Sequence, residues 1–290
     1  MQYPTPHFSP GGDRFIEVEL GDEMSFDLNV QVHALAAAIR AAGVRGVIEL
    51  VPELASLLVS YDADVISYAD VVTEISRLHQ TLAGGAELEM QSRLFLVPLM
   101  YFDPWTEACV DEYRKANPDK VQDPELLCSS NGLADRAVLQ RVHASTDYWV
   151  AALGFWPGLC SLMPLDPRSR LTAPKYNPPR AWTPKGTIGL GGGLTCIYPD
   201  RTPGGYQIFA RTPMPTWDRE QRLPAFKESM ALLRAGDRVR FAPIDRAEFE
   251  HVEAEVAAGT YAHAQAADPT FSVLQYRTWL HSLEKERSDD

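Results

Sequence analysis

Residues 46–62 read GVIELVPELASLLVSYD, and this stretch decides the fold that we expect. It contains two apolar runs, at 46–51 and 56–61, with Pro52 between them. Short runs rich in Val, Ile and Leu that a proline bounds are typical of β-strands, because proline cannot donate a hydrogen bond within a sheet. The stretch therefore predicts two neighbouring strands in the N-terminal region.

Helical patterns flank this pair of strands on both sides. Asp27 is a helix-capping residue type, and the apolar stripe after it stops at Gly43, a residue type that commonly closes helices. Ser67, with Asp70 three residues on, predicts the start of a second helix that ends at Gly84. Two further strands are predicted at 15–20 and 93–100. The order β-α-β-β-α-β predicts a ferredoxin-like split arrangement.

After residue 100, short apolar segments alternate with turns rich in Pro and Gly. The predicted elements are helices at 103–116 and 133–145 and strands at 148–153, 187–190, 194–198, 205–210 and 237–243. Many short strands separated by such turns are typical of a closed or nearly closed antiparallel barrel. The tail is predicted to be helical to about residue 284, and the last residues are expected to fray.

These patterns predict an α+β protein with three segments. Residues 1–100 form the ferredoxin-like domain, residues 101–245 form the barrel, and residues 246–290 form a helical C-terminal extension. With 290 residues, the chain is long enough for each of the first two segments to have its own hydrophobic core.

The composition excludes several classes of function. The formal net charge is −12, and a negative surface repels the phosphates of nucleic acids. No apolar run is long enough to span a bilayer, and the N-terminus has neither the basic start nor the apolar core of a signal peptide. We therefore expect a cytoplasmic protein that binds neither nucleic acid nor a membrane.

Cysteine and histidine spacing argues against a metal site. The four cysteines stand at Cys109, Cys128, Cys160 and Cys196, with no C-x-x-C pair. No two of the seven histidines have the spacing of metal ligands on one face of an element. We expect free thiols and no bound metal.

Standard catalytic motifs are missing: the sequence contains no G-x-S-x-G, no Walker A and no H-E-x-x-H motif. The run GLGGGLT at 189–195 begins like a dinucleotide-binding fingerprint, but Leu194 stands where the last Gly belongs, and the run lies between predicted strands. It therefore indicates a hairpin that needs positive φ angles or a close backbone approach.

The stretch 154–212 concentrates cations, amides and phenols on loops rich in Pro and Gly. Only two carboxylates, Asp166 and Asp200, lie within it. This composition argues against hydrolysis by paired carboxylates and favours the stabilisation of negative charge. A structural explanation stays open beside it, because prolines and aromatic residues also brace barrel loops.

His143 is a second candidate, because it ends a predicted helix directly before the first barrel strand. A functional role and a structural role are both open for it, since the macrodipole favours a histidine at the C-terminus of a helix.

Several motifs resemble the allophanate hydrolase subunit 1 family, which includes the B-type subunit of 5-oxoprolinase and a sporulation-kinase inhibitor. The first is the quoted stretch 46–62. The others, in the family's order, are His143, Tyr148, Val150 and Gly154-Phe155-x-Pro157-Gly158; Pro179, Arg180, Pro184 and Gly186; Tyr198-Pro199, Pro203-Gly204-Gly205-Tyr206-Gln207 and Arg211-Thr212; and the strand 236–241. The resemblance runs from about residue 12 to residue 245.

The resemblance implies a ferredoxin-like domain followed by a cyclophilin-like barrel, and a subunit 2-type partner that completes a carboxyltransferase site. Within the family, KYNPPRAWTPKG at 175–186 and the extra helical tail look most like the carboxyltransferase domain of urea carboxylase. That branch implies biotin on a separate carrier or biotin carboxylase subunit, ATP used by partner subunits, and a small amide or urea-like substrate. The chain departs from the family pattern at 159–162, where LCSL replaces the usual run, and we expect its acceptor pocket to differ accordingly.

Site roles follow from residue type together with the resemblance. The expected catalytic residues are Arg180, Gln207, Arg211 and His143, with Arg180 or Arg211 holding a carboxylate. The expected substrate-binding residues are Lys175, Tyr176, Asn177, Tyr198, Gly204, Gly205, Tyr206, Phe155 and Pro157.

Two alternatives to a urea-carboxylase-like enzyme stay open. One is the B-type subunit of an ATP-dependent 5-oxoprolinase, which opens a lactam without biotin. The other is a non-enzymatic inhibitor of a histidine kinase.

Overall fold

The structure is a computed structural model that describes residues 1–82 and 89–288. The predicted end of the second helix at Gly84 therefore lies outside the described residues. The chain divides into two compact units, one of residues 1–92 with 270–290 and the other of residues 93–269. The sequence patterns had placed the divisions at residues 100 and 245.

Helices and strands are numbered in chain order. The helices in the described residues are α1 (Phe26–Ala42), α2 (Tyr68–Thr81), α3 (Pro104–Ala116), α4 (Asp123–Ser130), α5 (Arg136–Ala144), α6 (Arg246–Ala258) and α7 (Val273–Ser288). The strands are β1 (Gln2–Gly11), β2 (Phe15–Gly21), β3 (Val47–Pro52), β4 (Ser56–Tyr61), β5 (Glu89–Gln91), β6 (Leu94–Tyr101), β7 (Asp147–Leu153), β8 (Cys160–Pro164), β9 (Arg180–Thr183), β10 (Thr187–Gly191), β11 (Leu194–Ile197), β12 (Thr202–Gly204), β13 (Gln207–Arg211), β14 (Arg238–Pro243) and β15 (Thr270–Ser272).

The first unit contains an antiparallel sheet in the order β1-β2-β4-β3. Strands β2 and β4 bury every second residue, as a sheet with one covered face requires. Ser67 caps the start of α2, where its side chain accepts from the backbone N–H of Asp70, and Gly43 caps the end of α1 in the left-handed conformation, both as predicted. The predicted cap of α1 at Asp27 is wrong, because Ser25 holds the cap position.

The predicted fourth strand of this sheet exists, but its predicted placement is wrong. Strand β6 lies in the barrel, and β1 occupies the sheet edge beside β2 instead. The physical reason is that β6 is largely apolar on both faces, which suits the interior of a barrel. Strand β1 contains Pro4, Pro6 and Pro10. Prolines argue against a strand when the sequence is read alone, but they are tolerated in a strand at the edge of a sheet.

The C-terminal segment also belongs to the first unit. Strand β15 pairs with β5, and the ring of Phe26 lies 4.6 Å from that of Tyr276. Arg277 of α7 donates to Asp27 at 2.7 Å. The predicted helical tail is thus two helices, with α6 in the second unit and α7 in the first.

The second unit is built on a closed barrel of seven strands in the order β10-β11-β8-β7-β14-β6-β13. Its closure agrees with the expected cyclophilin-like barrel. The expectation of a purely antiparallel barrel is wrong, because β14 runs parallel to β6. The core is formed by buried residues that include Phe95, Val150, Leu162, Phe209 and Phe241.

No helix in the described part of the chain is long and apolar enough to cross a bilayer.

One ion pair fastens the parallel strands of the barrel. Asp237, which is 6% exposed, accepts from the guanidinium of Arg93 at 2.5 Å and from the backbone N–H of Arg234 at 2.8 Å. Arg93 also donates to the carbonyl of Leu232. The carboxylate therefore joins the start of β6 to the turn that leads into β14.

We expect Asp237→Ala to lower the free energy of unfolding by roughly 3 kcal/mol, because it leaves a largely buried guanidinium and backbone N–H without their acceptor. Glu250→Ala is the matched control: it breaks the exposed Arg246–Glu250 pair on α6 and should cost less than about 1 kcal/mol. Urea unfolding monitored by tryptophan fluorescence measures both. Equal losses in the two variants would contradict this role for Asp237.

Candidate functional site

A fully buried carboxylate, Asp123, organises one side of the barrel. It is the first residue of α4. Its Oδ1 accepts from the hydroxyl of Tyr176 and from Lys120 Nζ, both at 2.5 Å, and its Oδ2 accepts from the backbone N–H of Ile208 at 2.6 Å. These contacts, together with the side chain of Gln207, form the Asp123 network. It ties α4 to strand β13 and to the loop before β9.

The amide of Gln207 is engaged at both ends within this network. Its Nε2 donates to the carbonyl of Pro174 at 2.6 Å, and its Oε1 accepts from Lys120 Nζ at 3.1 Å. Gln207 is 1% exposed. The structure thus places Gln207 in the wall of the site, with its amide fixed by the protein.

Arg180 is also buried, at 2% exposure. Its Nη1 donates to the carbonyl of Tyr206 at 2.7 Å, and its Nη2 donates to Thr183 Oγ1 at 3.2 Å. The guanidinium lies 4.4 Å from the ring centroid of Tyr176, a distance typical of a cation–π contact. Arg180 therefore restrains Tyr176 through its ring and Tyr206 through its backbone carbonyl.

Burial raises the pKa of Tyr176 well above its usual value, and the Asp123 carboxylate raises it further. The phenol consequently stays protonated and donates to Asp123. The ring of Tyr113 packs beside that of Tyr176, with centroids 4.7 Å apart, and the Tyr113 hydroxyl donates to the carbonyl of Pro178.

A cavity of about 470 Å³ opens beside this network, and we call it the Tyr176 cavity. Its lining includes Tyr113, Lys120, Lys175, Tyr176, Asn177 and Gln207. Lys175 and Asn177 are exposed, and Lys175 Nζ lies 5.2 Å from the ring centroid of Tyr206. The backbone of Gly205 contacts the site: its carbonyl accepts a hydrogen bond from the backbone N–H of Tyr176. The Tyr176 cavity thus combines a fixed aromatic wall with two exposed polar side chains.

Arg211 lies in a different place, at the far end of β13. It lines a second cavity of about 350 Å³, the Arg211 cavity, whose lining includes Lys185, Arg211, Thr212, Thr216, Arg222 and Glu253. Arg211 Nε donates to the carbonyl of Lys185 at 2.8 Å, and Nη2 donates to Glu253 at 3.2 Å. Sequence reasoning had placed Arg211 and Gln207 in one site.

Tyr198 and Tyr206 pack in a small apolar cluster with Cys196 and Ile208. Burial raises the pKa of both phenols, to about 12 for Tyr206. The backbone of Gly204 passes close to Tyr198: a Cβ at Gly204 would lie 2.5 Å from the Tyr198 hydroxyl. Tyr198 also contributes to the lining of the Arg211 cavity.

The run GLGGGLT forms the predicted hairpin, with β10 and β11 paired and positive φ at Gly192 and Gly193. A Cβ at Gly191 would lie 2.6 Å from the ring of Tyr206, and one at Gly189 would lie 2.9 Å from Tyr206 Cβ. Both reasons predicted for these glycines, turn conformation and close approach, are confirmed. Gly189 and Gly191 of the hairpin thus leave space for the side chain of Tyr206.

His143 is fully buried in the barrel core. Its Nδ1 hydrogen-bonds with the Tyr101 hydroxyl at 2.7 Å, and its ring stacks 4.8 Å from that of Phe241. Burial lowers its pKa to about 3, so the ring is neutral. His143 is not among the residues that line either cavity, so the structure does not bring it to the other predicted site residues.

The lowered pKa of His143 makes stability depend on pH. Between pH 6.5 and about pH 3, the ring is neutral in the folded protein but protonated in the unfolded chain. The contribution of this ring to the free energy of unfolding is therefore complete above about pH 6.5 and is lost as the pH falls towards 3. His143→Gln should reduce the loss in unfolding free energy between pH 7 and pH 5 by roughly 2 kcal/mol. The exposed His251→Gln is the control, and urea unfolding at the two pH values is the measurement. An unchanged pH dependence in His143→Gln would contradict the assignment.

Phe155 and Pro157 lie apart from both cavities, in the exposed turn between β7 and β8. Phe155 is 72% exposed and adopts a φ of 71°. The structure therefore separates the predicted residues into a Tyr176 group, an Arg211 group, the buried His143 and this turn.

Sequence reasoning missed the residues that organise the two cavities. Lys120 and Asp123 lie in NPDKVQDPE at 117–125, where Asp before Pro124 is a recognisable helix start. Glu253 lies on α6, more than 40 residues from Arg211. The start of α4 is recognisable in the sequence. The burial of the Asp123 carboxylate and the contact between Arg211 and Glu253, 42 residues apart, are not.

With the barrel and its cavities described, the family can be stated. Residues 6–227 match the family described as the carboxyltransferase domain, subdomain C and D, which is well over half of the chain. This chain therefore belongs to that family.

Two curated relatives represent two kinds of enzyme component. Urea amidolyase of Saccharomyces cerevisiae is 27% identical over 286 residues, which cover 96% of this chain and 15% of the amidolyase. The B-type subunit of 5-oxoprolinase from Bacillus subtilis is 30% identical over 256 residues, which cover 84% of this chain and 95% of that subunit. The chain thus spans a small part of the urea amidolyase but nearly the whole of the 5-oxoprolinase component.

The fold is shared with a solved structure. The urea carboxylase of Kluyveromyces lactis matches with a TM-score of 0.87 at 24% identity, covering 99% of this chain and 26% of that one. The likeness shows that this chain has the fold of one region of a larger enzyme.

Proposed function

We propose that this chain is one subunit of a carboxyltransferase that moves a carboxyl group from carboxybiotin to a urea- or amide-like nitrogen. The proposal puts biotin on a separate carrier protein or domain and assigns the use of ATP to partner subunits. A subunit 2-type partner completes the active site, so the isolated chain is inactive. We place the assembly in the cytoplasm.

The Tyr176 cavity carries this proposal. Asn177 offers both a donor and an acceptor, which is what a urea- or lactam-type group needs on its own amide edge. Lys175 supplies a positive charge next to it, which favours the negative charge that develops during carboxyl transfer. The rings of Tyr113 and Tyr176 give the acceptor an aromatic wall.

The buried residues of the site are proposed to act by positioning. Gln207 fixes Lys120, and Arg180 fixes Tyr176, so that the wall of the cavity keeps its shape when the acceptor binds. Preformed geometry of this kind contributes to catalysis because it avoids reorganisation during the reaction.

Carboxybiotin supplies the carboxyl group when it is bound. The chemistry that it requires from the protein is an amide-binding group and a cation for the carboxylate. Asn177 and Lys175 can supply both within the Tyr176 cavity, whereas Arg211 lines a separate cavity.

The extent of sequence similarity favours the urea-carboxylase branch. The match to urea amidolyase covers 96% of the chain. The match to the 5-oxoprolinase component covers 84% and so leaves a larger part of the chain unmatched.

In the complex assembled with its partners, Asn177→Ala should raise the KM for the acceptor about tenfold with a smaller change in kcat. Lys175→Ala should instead lower kcat about tenfold, because its charge acts on the negative charge that develops during transfer. Both side chains are exposed, so their removal should leave the fold intact. Incorporation of labelled bicarbonate into the acceptor, measured over a range of urea, guanidine and lactam concentrations, gives both constants. Lys227→Ala, an exposed lysine outside the cavity lining, is the matched control. A wild-type KM in Asn177→Ala together with a wild-type kcat in Lys175→Ala would reject this acceptor site.

A second candidate function is the B-type subunit of a 5-oxoprolinase, which the 30% identity over 95% of the Bacillus subtilis protein favours. The two candidates differ in their need for biotin. Capture of the natively assembled complex on streptavidin should retain this chain if it is a carboxyltransferase subunit. A complex that opens 5-oxoproline with ATP and does not bind streptavidin would establish the second candidate instead.

A further inference from the structure

The turn that joins β7 to β8 presents apolar side chains to solvent. Its sequence is GFWPG at 154–158, and we call it the aromatic turn. Phe155 is 72% exposed and Trp156 is 37% exposed. The turn contains no charged residue, whereas 23% of the residues in the whole chain are charged. Exposed turns are ordinarily polar, so two adjacent exposed aromatic rings indicate a contact surface.

The backbone of Phe155 is strained. Its φ of 71° lies in the left-handed region, which residues with bulky side chains rarely adopt. Phe102 and Gln221 also have positive φ, and contacts within the chain hold both of them. The guanidinium of Arg136 lies 5.3 Å from the ring centroid of Phe102. Gln221 Nε2 donates to the carbonyl of Phe226 at 2.5 Å. The ring of Phe155 is mostly exposed, so burial within this chain does not offset its strain.

Hydrogen bonds and packing fix the conformation of the aromatic turn. The backbone N–H of Leu159 donates to the carbonyl of Trp156 at 2.9 Å, and the N–H of Gly154 donates to the carbonyl of Leu159 at 3.1 Å. Gly158 passes so close to Trp217 that a Cβ at Gly158 would lie 2.7 Å from Trp217 Cβ. The turn therefore presents its rings on an ordered backbone, which lowers the entropy cost of binding.

A further exposed apolar residue lies on the segment against which the aromatic turn packs. Trp217 pairs with Ala231 through a β-bridge, and the backbone N–H of Asp218 donates to the carbonyl of Met230 at 2.9 Å. Met230 is 48% exposed. The large apolar residues exposed in the second unit are these three, Phe155, Trp156 and Met230, and Val121. Exposed apolar residues that cluster in this way are typical of a protein–protein contact.

The charge of the chain favours a partner other than a membrane or a second copy. With a formal charge of −12, the chain is repelled by the anionic face of a membrane and by another copy of itself. The aromatic turn contains no cation that would offset this repulsion. An apolar pocket on a different, less acidic protein carries neither penalty.

We propose that this chain docks onto its partner subunit through the aromatic turn, with the ring of Phe155 inserted into an apolar pocket of that subunit. Burial of the ring removes apolar surface from water and so offsets the backbone strain in the complex. Aromatic side chains that enter such pockets dominate the affinity of many protein–protein contacts. The identity of the partner as the subunit 2-type component rests on the proposed function.

The experiment measures the affinity of the separately purified subunit 2-type partner for variants of this chain by isothermal titration calorimetry. Phe155→Gly should weaken binding at least tenfold, because it removes the ring. It should also raise the midpoint of thermal unfolding of the isolated chain by about 2 °C, because glycine adopts a positive φ without strain. The matched control is Ile48→Ser, which removes an apolar side chain of a residue that is 64% exposed and should leave the affinity unchanged.

A photoreactive p-benzoylphenylalanine at position 155 gives a second measurement that keeps an aromatic ring in the turn. Its cross-links should map to the partner, and those from the same group at position 48 should not. The proposal is overturned if Phe155→Gly binds the partner as tightly as the wild type, if the wild type does not bind the partner, or if the cross-links join two copies of this chain. Binding that depends on Phe155, without carboxyl transfer by the assembled complex, supports this docking contact and rejects the proposed function.

Discussion

The buried carboxylate of Asp123 is the constraint on which the candidate site depends. A carboxylate without exposure to solvent is costly unless charged and polar partners surround it, and here it has an ammonium, a phenol and a backbone N–H. These three partners come from the segment before α4, the loop before β9 and strand β13. The need to satisfy one carboxylate therefore fixes three separate pieces of chain around the Tyr176 cavity.

Strand β13 connects this constraint to the second cavity. Gln207 stands at its start and Arg211 at its end, four residues apart, so at about 3.3 Å per residue their backbones are separated by roughly 13 Å. The strand thus carries an amide fixed by the protein at one end and a guanidinium with free donors at the other.

Much of the fold was predictable because its local signals are strong. Ser67 and Gly43 bound helices in the sequence as they do in the structure, and the strand pair at 46–62 is where it was expected. Strand β1 was missed because three prolines conceal it, and β6 was placed in the wrong sheet because periodicity identifies a strand but not its neighbours. For the site, residue type singled out Lys175, Asn177 and Arg211. It could not show that Gln207 and Arg180 are engaged within the protein, that His143 is buried, or that Glu253 faces Arg211, because these facts depend on contacts between distant parts of the chain.

The most direct test of the account is whether carboxyl transfer depends on this chain. The measurement is the incorporation of labelled bicarbonate into urea, guanidine or lactam acceptors by the assembled complex, with ATP and the biotin carrier present, in the presence and absence of this chain. The account predicts acceptor-dependent incorporation that is lost when this chain is omitted and restored when it is added back. Incorporation that is undiminished without the chain, or no incorporation with any of these acceptors by the complete complex, would contradict it.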